Sequence, residues 1–384
     1  MATNNNDKTL NVPHLRFPEF SGEWEKHKLC NIASIVGRIG FRGYTTNDIV
    51  AKGKGAIALS PTNIENNKLT YDKDNTYISF YKYEESPEIM IKQGDVIFVK
   101  TGSTVGKVAY VDKLMCKTTL NPQVVVLKNI QCDNYLLSVL ISTNRFQNAI
   151  RKITVGGAVP TLSQAAMGDI AVTMPQVAEQ EKLSKFILFL DERITTQNKI
   201  IEKLESLIRG LCLKLVSQGI PNTALNTCLE CHSSILQEKS VTTDGKYPVY
   251  GAAGICGYSN TPEASGDSIL IIKDGASVGA TFYVSGEYSA IGTLNRLTAR
   301  SGCSLRYLYY CLKIFDFSQY KTGQTIPHIY FRDYGIAKIW CPSLAQQEHI
   351  AGILTSIDTK IQMERSLLER LTIQKRFLLQ KMFI

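Results

Sequence analysis

The sequence predicts an α+β fold in which two β-rich, mixed domains alternate with two long helices. Three observations support this prediction. The chain repeats itself once, each copy ends in a long heptad pattern, and short apolar runs punctuated by glycine turns precede each pattern. A length of 384 residues leaves room for two or three domains. The expected order along the chain is therefore domain, helix, domain, helix.

The N-terminal segment and the composition limit the class of protein. MATNNNDKTLNV has no apolar core of the kind found in a signal peptide, and residues 1–14 are predicted to form a poorly ordered tail. No apolar run approaches the roughly 18 residues of a membrane span. Ten cysteines without a framework spacing favour reduced thiols in a cytoplasmic protein. A formal charge of +9 favours a polyanionic partner without requiring one.

The first predicted domain spans residues 15–175 and the second spans 218–342. Both are β-rich, with strands predicted at Val96–Lys100, Val105–Val111, Val124–Leu127, Ser268–Lys273 and Ala280–Val284. Short helices are predicted at Tyr135–Arg151 and Leu305–Phe315. Glycine-containing turns separate the strands.

The repeat is clearest where each domain leads into its helix. GGAVPTLSQAAMGDIAVTMPQVAEQEKL, from Gly156, aligns without gaps with GQTIPHIYFRDYGIAKIWCPSLAQQEHI, from Gly323. In this alignment Pro175 falls on Pro342, just upstream of each helix, where a proline breaks no internal hydrogen bond. The two halves are therefore copies of one architecture.

Two heptad patterns predict the long helices, at 176–217 and 343–384. Their apolar residues alternate spacings of four and three, which is the a/d pattern of a coiled coil. The seam residues are Leu183, Ile187, Leu190, Ile194, Ile201, Leu204, Ile208 and Leu211 in the first helix, and Ile350, Leu354, Ile357, Ile361, Leu368, Leu371 and Leu378 in the second. Polar residues interrupt the pattern at Gln197, Glu364 and Lys375.

An apolar seam about 60 Å long, at 1.5 Å per residue over roughly 40 residues, requires a partner. The other copy in the same chain is the simplest one. Gln197 and Glu364 occupy equivalent positions, where buried polar residues often fix the register. The alternative is that each helix packs separately against its own domain.

A glycine-rich stretch is repeated within the domains. GDVIFVKTGSTVGKVAYV (94–111) returns as GDSILIIKDGASVGATFYV (266–284). A P-loop needs four residues between its glycines, followed by Lys and Ser or Thr. GSTVG encloses three residues, and Ala280 replaces Lys107 in the second copy. The pattern favours a sharp turn between two strands, with hydroxyl side chains and backbone N–H groups presented outward, over a nucleotide site.

A second short repeat, Thr119–Asn121 with Thr293–Asn295, lies nearby. LNPQV (120–124) resembles the Asn-Pro-Pro-aromatic string of adenine methyltransferases. It lacks the second proline and the aromatic residue that would hold a flipped base. Neither a G-x-S-x-G elbow nor an H-E-x-x-H string occurs, so no catalytic residue is predicted.

CLECH places Cys228, Cys231 and His232 in the spacing of a haem-attachment string. That attachment needs an exported, oxidising setting, and a lone C-x-x-C provides only two of the four ligands of a zinc site. Chance explains the string best, and no metal site is predicted from it.

The candidate binding residues are basic, hydroxyl-bearing or aromatic residues in or close to the glycine turns. Such side chains can contact phosphates or the edges of bases. They are Arg38, Arg42, Tyr44, Thr45, Lys100, Thr101, Ser103 and Lys107 in the first domain, and Lys246, Tyr250, Tyr258, Lys273, Ser277, Arg296 and Lys321 in the second. Two such domains facing one side of B-DNA must lie about one helical turn apart, roughly 34 Å, or a multiple of it.

The whole chain resembles the specificity subunit of a type I restriction–modification system. The resemblance depends on the tandem halves, the glycine-rich stretch and the heptad segments, together with RIGFRGYT (38–45), DGKYPVYGAAGICGY (244–258) and GQTIPHIY (323–330). It implies an α+β fold of two tandem target-recognition domains, each reading one half of a bipartite DNA target. An intramolecular antiparallel coiled coil of the two long helices separates them.

The resemblance also implies the partners. Two modification (methyltransferase) subunits, which carry S-adenosylmethionine, dock on the coiled coil and methylate adenine. Restriction subunits, which use ATP and Mg, complete the complex and cleave double-stranded DNA. This chain is then not an enzyme, binds no cofactor or metal and contacts no membrane. Two alternatives stay open: a non-catalytic coiled-coil protein scaffold and a self-contained DNA methyltransferase.

Overall fold

The computed structural model of the chain describes residues 11–71, 74–157 and 159–383. Their contacts divide the chain into two units. Unit 1 contains residues up to Ile194 together with those from Arg370 onward, and unit 2 is Thr195–Glu369. The two boundaries fall inside the long helices, whereas the sequence analysis drew domain limits at the helix ends. Each long helix therefore contributes to both units.

The predicted tail lies largely outside the described residues. Within its described part, the backbone carbonyl of Asn11 accepts a hydrogen bond from Trp24 N, 2.8 Å long. Leu15 N donates to the carbonyl of Lys381, also at 2.8 Å. Residues 11–15 are thus attached to unit 1.

Unit 1 contains three sheets and several short helices. Its strands are β1 (Glu25–Lys28), β2 (Ser34–Gly37), β3 (Ala56–Leu59), β4 (Ile64–Glu65), β5 (Lys68–Leu69), β6 (Thr76–Ile78), β7 (Val96–Val99), β8 (Val108–Tyr110), β9 (Thr118–Leu120), β10 (Val124–Lys128) and β11 (Ala171–Met174). Its helices are α1 (Leu29–Ile32), α2 (Phe80–Glu84), α3 (Asn134–Ser142), α4 (Asn144–Ile153) and α5 (Gln164–Gly168), followed by α6 (Val177–Val216). The strand orders are β2-β10-β7-β8-β5-β4, β6-β3-β9 and β1-β11.

Unit 2 follows the same plan. Its strands are β12 (Thr223–Ala224), β13 (Leu229–Ser233), β14 (Tyr247–Gly251), β15 (Gly254–Ser259), β16 (Ala264–Ser265), β17 (Ser268–Ile272), β18 (Thr281–Val284), β19 (Glu287–Ala290), β20 (Leu294–Ala299) and β21 (Lys338–Ile339). Its helices are α7 (Leu225–Cys228), α8 (Leu305–Ile314), α9 (Phe331–Tyr334) and α10 (Leu344–Met382). The strand orders are β13-β20-β17-β18, β15-β14-β19-β16 and β12-β21.

The repeat is visible in strand order. The order β2-β10-β7-β8 of unit 1 corresponds to β13-β20-β17-β18 of unit 2. Each unit has a parallel pair in its second sheet, β3 with β9 and β14 with β19, and unit 1 has a further parallel pair, β5 with β8. Unit 1 differs by the added edge strands β5 and β4.

The Thr-Leu-Asn repeat is not a structural repeat. Leu120 ends β9, whereas Leu294 begins β20. The counterpart of Leu294 is Val124, because Val124 pairs with Val99 as Leu294 pairs with Ile272. The sequence alignment at this point is therefore out of register by several residues.

The heptad seam forms the buried face of both long helices. Every seam residue in α6 and α10 is buried or half-buried. In unit 2, Ile208 of α6 and Leu354 and Ile361 of α10 share one apolar core with the globular part. In unit 1, Leu183 and Ile187 pack in the core of that domain together with Met382. Helix pairing and packing against the domains thus occur together, so the two interpretations of the sequence are not exclusive.

The polar seam residues set the antiparallel register. In unit 2, Gln197 Nε2 donates to the backbone carbonyl of Glu364, 3.0 Å away, and to its carboxylate. In unit 1, Lys375 forms an ion pair with Asp191, whose carboxylate also accepts a hydrogen bond from Tyr135, 2.6 Å long. Equivalent positions of two antiparallel helices meet only midway along the pair, which is how the equivalent Gln197 and Glu364 come into contact.

Among the described residues, no helix has the length and apolarity needed to cross a membrane.

Candidate nucleic-acid interface

The glycine-rich stretch folds as a tight hairpin in each unit. In unit 1 it joins β7 to β8, and Gly106 N donates to the carbonyl of Val99, 3.0 Å away. In unit 2 it joins β17 to β18, and Gly279 N donates to the carbonyl of Ile272, 2.9 Å away. We call residues 100–107 and 273–280 the glycine hairpins.

Gly106 shows why glycine is required in this turn. Its φ of 98° lies in the left-handed region. A Cβ at this position would lie 2.3 Å from Oε1 of Gln147, whose Nε2 donates to the Gly106 carbonyl. The glycines shape the backbone, which agrees with the prediction of a turn instead of a nucleotide loop.

A second loop lies against each hairpin. Gly102 N donates to the carbonyl of Pro160, and Leu162 N donates to the carbonyl of Lys100. Gly275 N bonds the carbonyl of Pro327 in the same way. We call residues 155–161 and 322–328 the return loops, because Val155–Thr161 and Thr322–His328 pair across their bases.

A connecting turn completes the cluster in each unit. In unit 1, the backbone N–H groups of Lys100 and Thr101 both donate to the carbonyl of Gln123, at 2.9 and 3.3 Å. In unit 2, Lys273 N donates to the carbonyl of Thr293, 2.9 Å away. Hairpin, return loop and connecting turn therefore form one contiguous loop cluster in each unit.

The structure places the candidate residues of the hairpins within these clusters. Ser103 and Lys107 are exposed, and Lys100 and Thr101 are half-buried. Lys107 Nζ lies 3.3 Å from the carbonyl oxygen of Ile64.

In unit 2, Ser277 and Lys321 are exposed and Lys273 is half-buried. Lys321 precedes the return loop, whose far end is attached to Lys273 by a hydrogen bond from Ile329 N, 2.9 Å long. The fold therefore brings these two lysines, which are distant in sequence, into one cluster.

Arg38 lies inside the fold of unit 1. It is only 6% exposed, and its guanidinium donates to the carbonyls of Leu120 and Arg42 and to Oγ1 of Thr119. It also lies over the ring of Tyr44, 5.4 Å from the ring centre. Burial lowers the pKa of Arg38, although neighbouring acidic groups partly oppose the shift. Arg38 therefore anchors the loop 38–44 to β9, and its guanidinium already has hydrogen-bond acceptors within the protein.

Residues 42–45 of that loop are half-buried or exposed. Arg42 is half-buried and lies 3.5 Å from the carboxylate of Glu88. Thr45 is exposed and forms a capping box with Asp48. Burial raises the pKa of the half-buried Tyr44 phenol. Arg42 and Thr45 thus lie nearer the surface than Arg38, and their polar groups contact Glu88 and Asp48 respectively.

The remaining candidates of unit 2 lie in its sheets or directly beside them. Lys246 is exposed, with its ammonium 5.0 Å from the ring centre of Tyr247. Tyr250 packs edge-on against Tyr288, and Tyr258 is 38% exposed. The carbonyl of Tyr250 accepts a hydrogen bond from Ile291 N, which starts the connecting turn.

Arg296 lies within β20 instead of in a loop. It pairs with His232 across the sheet and lines a cavity of about 270 Å³ with Tyr288. Its side chain is half-buried, so it belongs to the sheet surface.

Sequence reasoning missed the return loops and connecting turns as parts of the site. Gln123, Thr161, Thr293 and His328 belong to them. The signal for the return loops was present, because GGAVPTL and GQTIPHIY are aligned copies. These copies indicated the duplication and, through GQTIPHIY, the family resemblance, but no residue of 155–161 or 322–328 was predicted to bind.

Comparison with known proteins gives consistent results. A family profile described as "Type I restriction modification DNA specificity domain" matches residues 22–206 and 230–372, which is most of the chain. Among curated relatives, the type I restriction enzyme MjaVIII specificity subunit of Methanocaldococcus jannaschii is 25% identical over 150 residues, or 39% of this chain. The EcoprrI specificity subunit of Escherichia coli is 26% identical over 113 residues, or 29% of this chain. This chain spans only 34% and 28% of the lengths of those relatives.

Solved structures show the same fold. The crystal structure of a type I restriction–modification S subunit from M. genitalium matches with a TM-score of 0.69 at 18% identity, covering 97% of this chain and 99% of that one. A chain from a study of complex assembly and conformational transition in a type I system matches with a TM-score of 0.52 at 16% identity, covering 94% and 97%. The duplicated loop clusters, the paired long helices and the profile match over most of the chain lead to one conclusion: the chain belongs to the type I restriction–modification DNA specificity family.

Proposed function

We propose that this chain is the DNA-reading, non-catalytic specificity subunit of a type I restriction–modification complex. Each unit reads one half of a bipartite sequence in double-stranded DNA through its loop cluster, together with the loop 38–45 in unit 1, whose Tyr44 is hydrogen-bonded to Asn121. The long helices act as the spacer and as the docking site for two modification subunits. Family membership supports the general assignment.

The duplicated loop cluster is the observation that carries the proposal. Both clusters have the same backbone scaffold, in which the N–H groups of the hairpin glycines Gly102 and Gly275 donate hydrogen bonds to carbonyls of the return loops. Their side chains differ, since Thr101 and Lys107 of one hairpin become Asp274 and Ala280 in the other. Two domains that bind different half-sites require a shared scaffold with different side chains, because side-chain donors and acceptors distinguish the edges of the bases.

Substitutions in one unit should affect one half-site. We expect Arg42→Ala to relax sequence preference in one half-site, and Lys273→Ala to do so in the other. Losing a good base contact costs about 1–3 kcal/mol of discrimination. Methylated adenines would be mapped genome-wide in cells that carry the complex with each variant. Lys113→Ala, which removes an exposed charge from the turn at the opposite end of β8, is the matched control. Equal loss at both half-sites would contradict the assignment.

Phosphate contact gives a second test. We expect Lys107→Ala to reduce the slope of log affinity against log salt by about one, because each neutralised phosphate releases roughly one counterion. Lys113→Ala should leave the slope unchanged. Fluorescence anisotropy with duplex DNA at several salt concentrations measures both slopes. Binding that ignores both salt and sequence would favour the protein-scaffold alternative.

The outer faces of the long helices support the docking role. Large apolar side chains of both long helices are about half or more exposed, and we take them as the points of contact with protein partners. They are Phe189, Leu207, Leu213, Met363, Ile373 and Phe377. The modification subunits are the expected occupants, since α6 alone, with 40 residues, offers about 60 Å of helix.

Docking can be separated from folding. We expect Phe189→Ser and Phe377→Ser to abolish co-purification with the modification subunits while leaving thermal stability almost unchanged. Ile336→Ser, which removes an apolar side chain that is 66% exposed outside the long helices, is the control. Normal assembly by the helix variants would refute docking on this face.

The remaining parts of the proposal concern catalysis and cofactors. The chain itself binds neither S-adenosylmethionine nor ATP; the first belongs to the modification subunits, and ATP with Mg belongs to the restriction subunits of the full complex. The complex acts in the cytoplasm. Transfer of a labelled methyl group to DNA by the isolated chain would refute this division and establish the self-contained methyltransferase alternative.

A further inference from the structure

Three cysteines from distant parts of the sequence meet in unit 2. Cys228 is the last residue of α7, Cys303 precedes the N-cap of α8, and Cys341 lies between β21 and α10. Their sulfur atoms all lie within 4.8 Å of one another. The sulfurs of Cys228 and Cys341 are 3.9 Å apart.

The backbone around these cysteines is held in place. Cys341 N donates to Oδ1 of Asn222, 2.8 Å away, and Cys303 N donates to the carbonyl of Arg300, 3.2 Å away. Gln347 is 1% exposed, and its amide bridges two of the cysteine-bearing segments. Its Oε1 accepts from Ser304 N, and its Nε2 donates to the Pro342 carbonyl and lies 3.2 Å from the sulfur of Cys341.

Unit 1 offers an internal comparison. Gln180 is the counterpart of Gln347, since it accepts from Asp133 N and donates to the Pro175 carbonyl in the same way. The residues equivalent to the three cysteines are Ile32, Cys132 and Met174, by their places at the end of α1, before the N-cap of α3 and before the repeated proline. Ile32 and Met174 are buried. Unit 1 thus has one thiol at this place and fills the other two positions with apolar side chains, whereas unit 2 has three thiols.

We propose that Cys228, Cys303 and Cys341 bind a thiophilic metal ion such as Zn²⁺. Sulfurs around a tetrahedral zinc ion lie about 3.8 Å apart, given Zn–S distances of about 2.3 Å. One pair already has that separation, and the others need only small side-chain rotations. Cys228 is 1% exposed while Cys303 and Cys341 are half-buried, so the site opens toward solvent on one side. A water molecule from that side completes the fourth position.

The ion would act as a structural link. It would join α7, the start of α8 and the segment that leads into α10, so that the base of α10 is tied to the globular part of unit 2. Burial and the neighbouring thiols raise the pKa of Cys228. The bound cation must therefore displace thiol protons, as metal binding to cysteine generally does.

The C-x-x-C string was a misleading guide to this site. Cys231 lies in β13, half-buried, opposite Leu297 of β20. It is not part of the three-thiol group. The two thiols that meet Cys228 come from elsewhere in the sequence. Cys231 therefore provides a control thiol that is close to Cys228 in sequence but outside the group.

Metal content of the full-length chain tests the proposal. The reduced protein would be stripped with a chelator, titrated with Zn²⁺ against a chromophoric competitor, and separately with Cd²⁺ while the cadmium–thiolate ultraviolet band is followed. We expect one equivalent of either metal for the native chain and for Cys231→Ser. We expect none for the double variant Cys228→Ile with Cys341→Met, which reproduces the residues of unit 1. Zinc should raise Tm for the native chain and not for the double variant.

Three outcomes would overturn the proposal. The first is no stoichiometric metal on the reduced native chain. The second is equal metal binding by the double variant. The third is a stable Cys228–Cys341 disulfide in protein purified without oxidant, seen as a loss of two mass units. Cys303→Ser provides a second ligand deletion should the double variant fail to fold, and it must lower affinity for Cd²⁺ at least tenfold.

Discussion

Leu354→Ala tests whether the helix seam belongs to the core of unit 2. Leu354 is 0% exposed and packs in the same apolar core as Ile208 of the partner helix. The change removes three buried carbon atoms, and alanine has at least as high a helix propensity as leucine. Substitutions of this kind cost about 2–5 kcal/mol, depending on how far the cavity collapses. For a unit of this size, roughly 2–4 °C per kcal/mol gives a fall in Tm of about 4–20 °C.

The assay can be confined to unit 2. The chain has two tryptophans, Trp24 in the core of unit 1 and Trp340 in unit 2. In a Trp24→Phe background, Trp340 fluorescence during urea unfolding reports on unit 2 alone. Ile353→Ala is the control, because Ile353 is the adjacent residue of α10 and is 37% exposed. We expect that control to cost less than about 1 kcal/mol. A cost below 1 kcal/mol for Leu354→Ala, or equal costs for both variants, would show that the seam is not part of the core.

Two further predictions concern unit 1. Arg16→Ala should destabilise unit 1 by about 3–5 kcal/mol, because the Glu179 carboxylate, 0% exposed and 2.6 Å from the Arg16 guanidinium, would be left buried without its cation. Restored stability in the double variant with Glu179→Gln would support this reason. An unchanged urea midpoint for Arg16→Ala would exclude it. Gly106→Ala should cost about 1–3 kcal/mol and weaken one half-site only, since its φ is 98° and its Cβ would clash with Gln147. Gly40→Ala, where nothing lies within 4 Å of the added Cβ, should be neutral in the same unfolding and methylation assays, and a similar loss in both glycine variants would contradict the steric argument.

Local features of the fold were predictable from the sequence. Helix α6 was predicted at 176–217 and runs from Val177 to Val216. The predicted single helix at Tyr135–Arg151 is instead two helices, α3 and α4, which meet at Thr143. Helix α6 was predictable because its heptad pattern continues over many turns. A break of one residue between two helices leaves no such periodic signal.

The candidate site was only partly predictable. Composition and glycine spacing pointed to the hairpin residues Ser103 and Lys107, which are exposed. The same reasoning selected Arg38, whose guanidinium is taken up by carbonyls of the fold. A sequence motif gives the type of side chain but not the position of acceptors contributed by other strands, so it could not separate the buried Arg38 from the half-buried Arg42.

By itself, the sequence determined that the chain is duplicated and which faces of its long helices are apolar, because helical periodicity depends only on neighbours a few positions apart. The tertiary structure alone decided which distant segments meet. It set the return loop beside the glycine hairpin, placed Gln197 opposite Glu364, and gathered Cys228, Cys303 and Cys341 into one group. The physical reason is that such contacts depend on strand pairing and helix register, which arise from the summed packing of the whole core and are not encoded in any single stretch of residues.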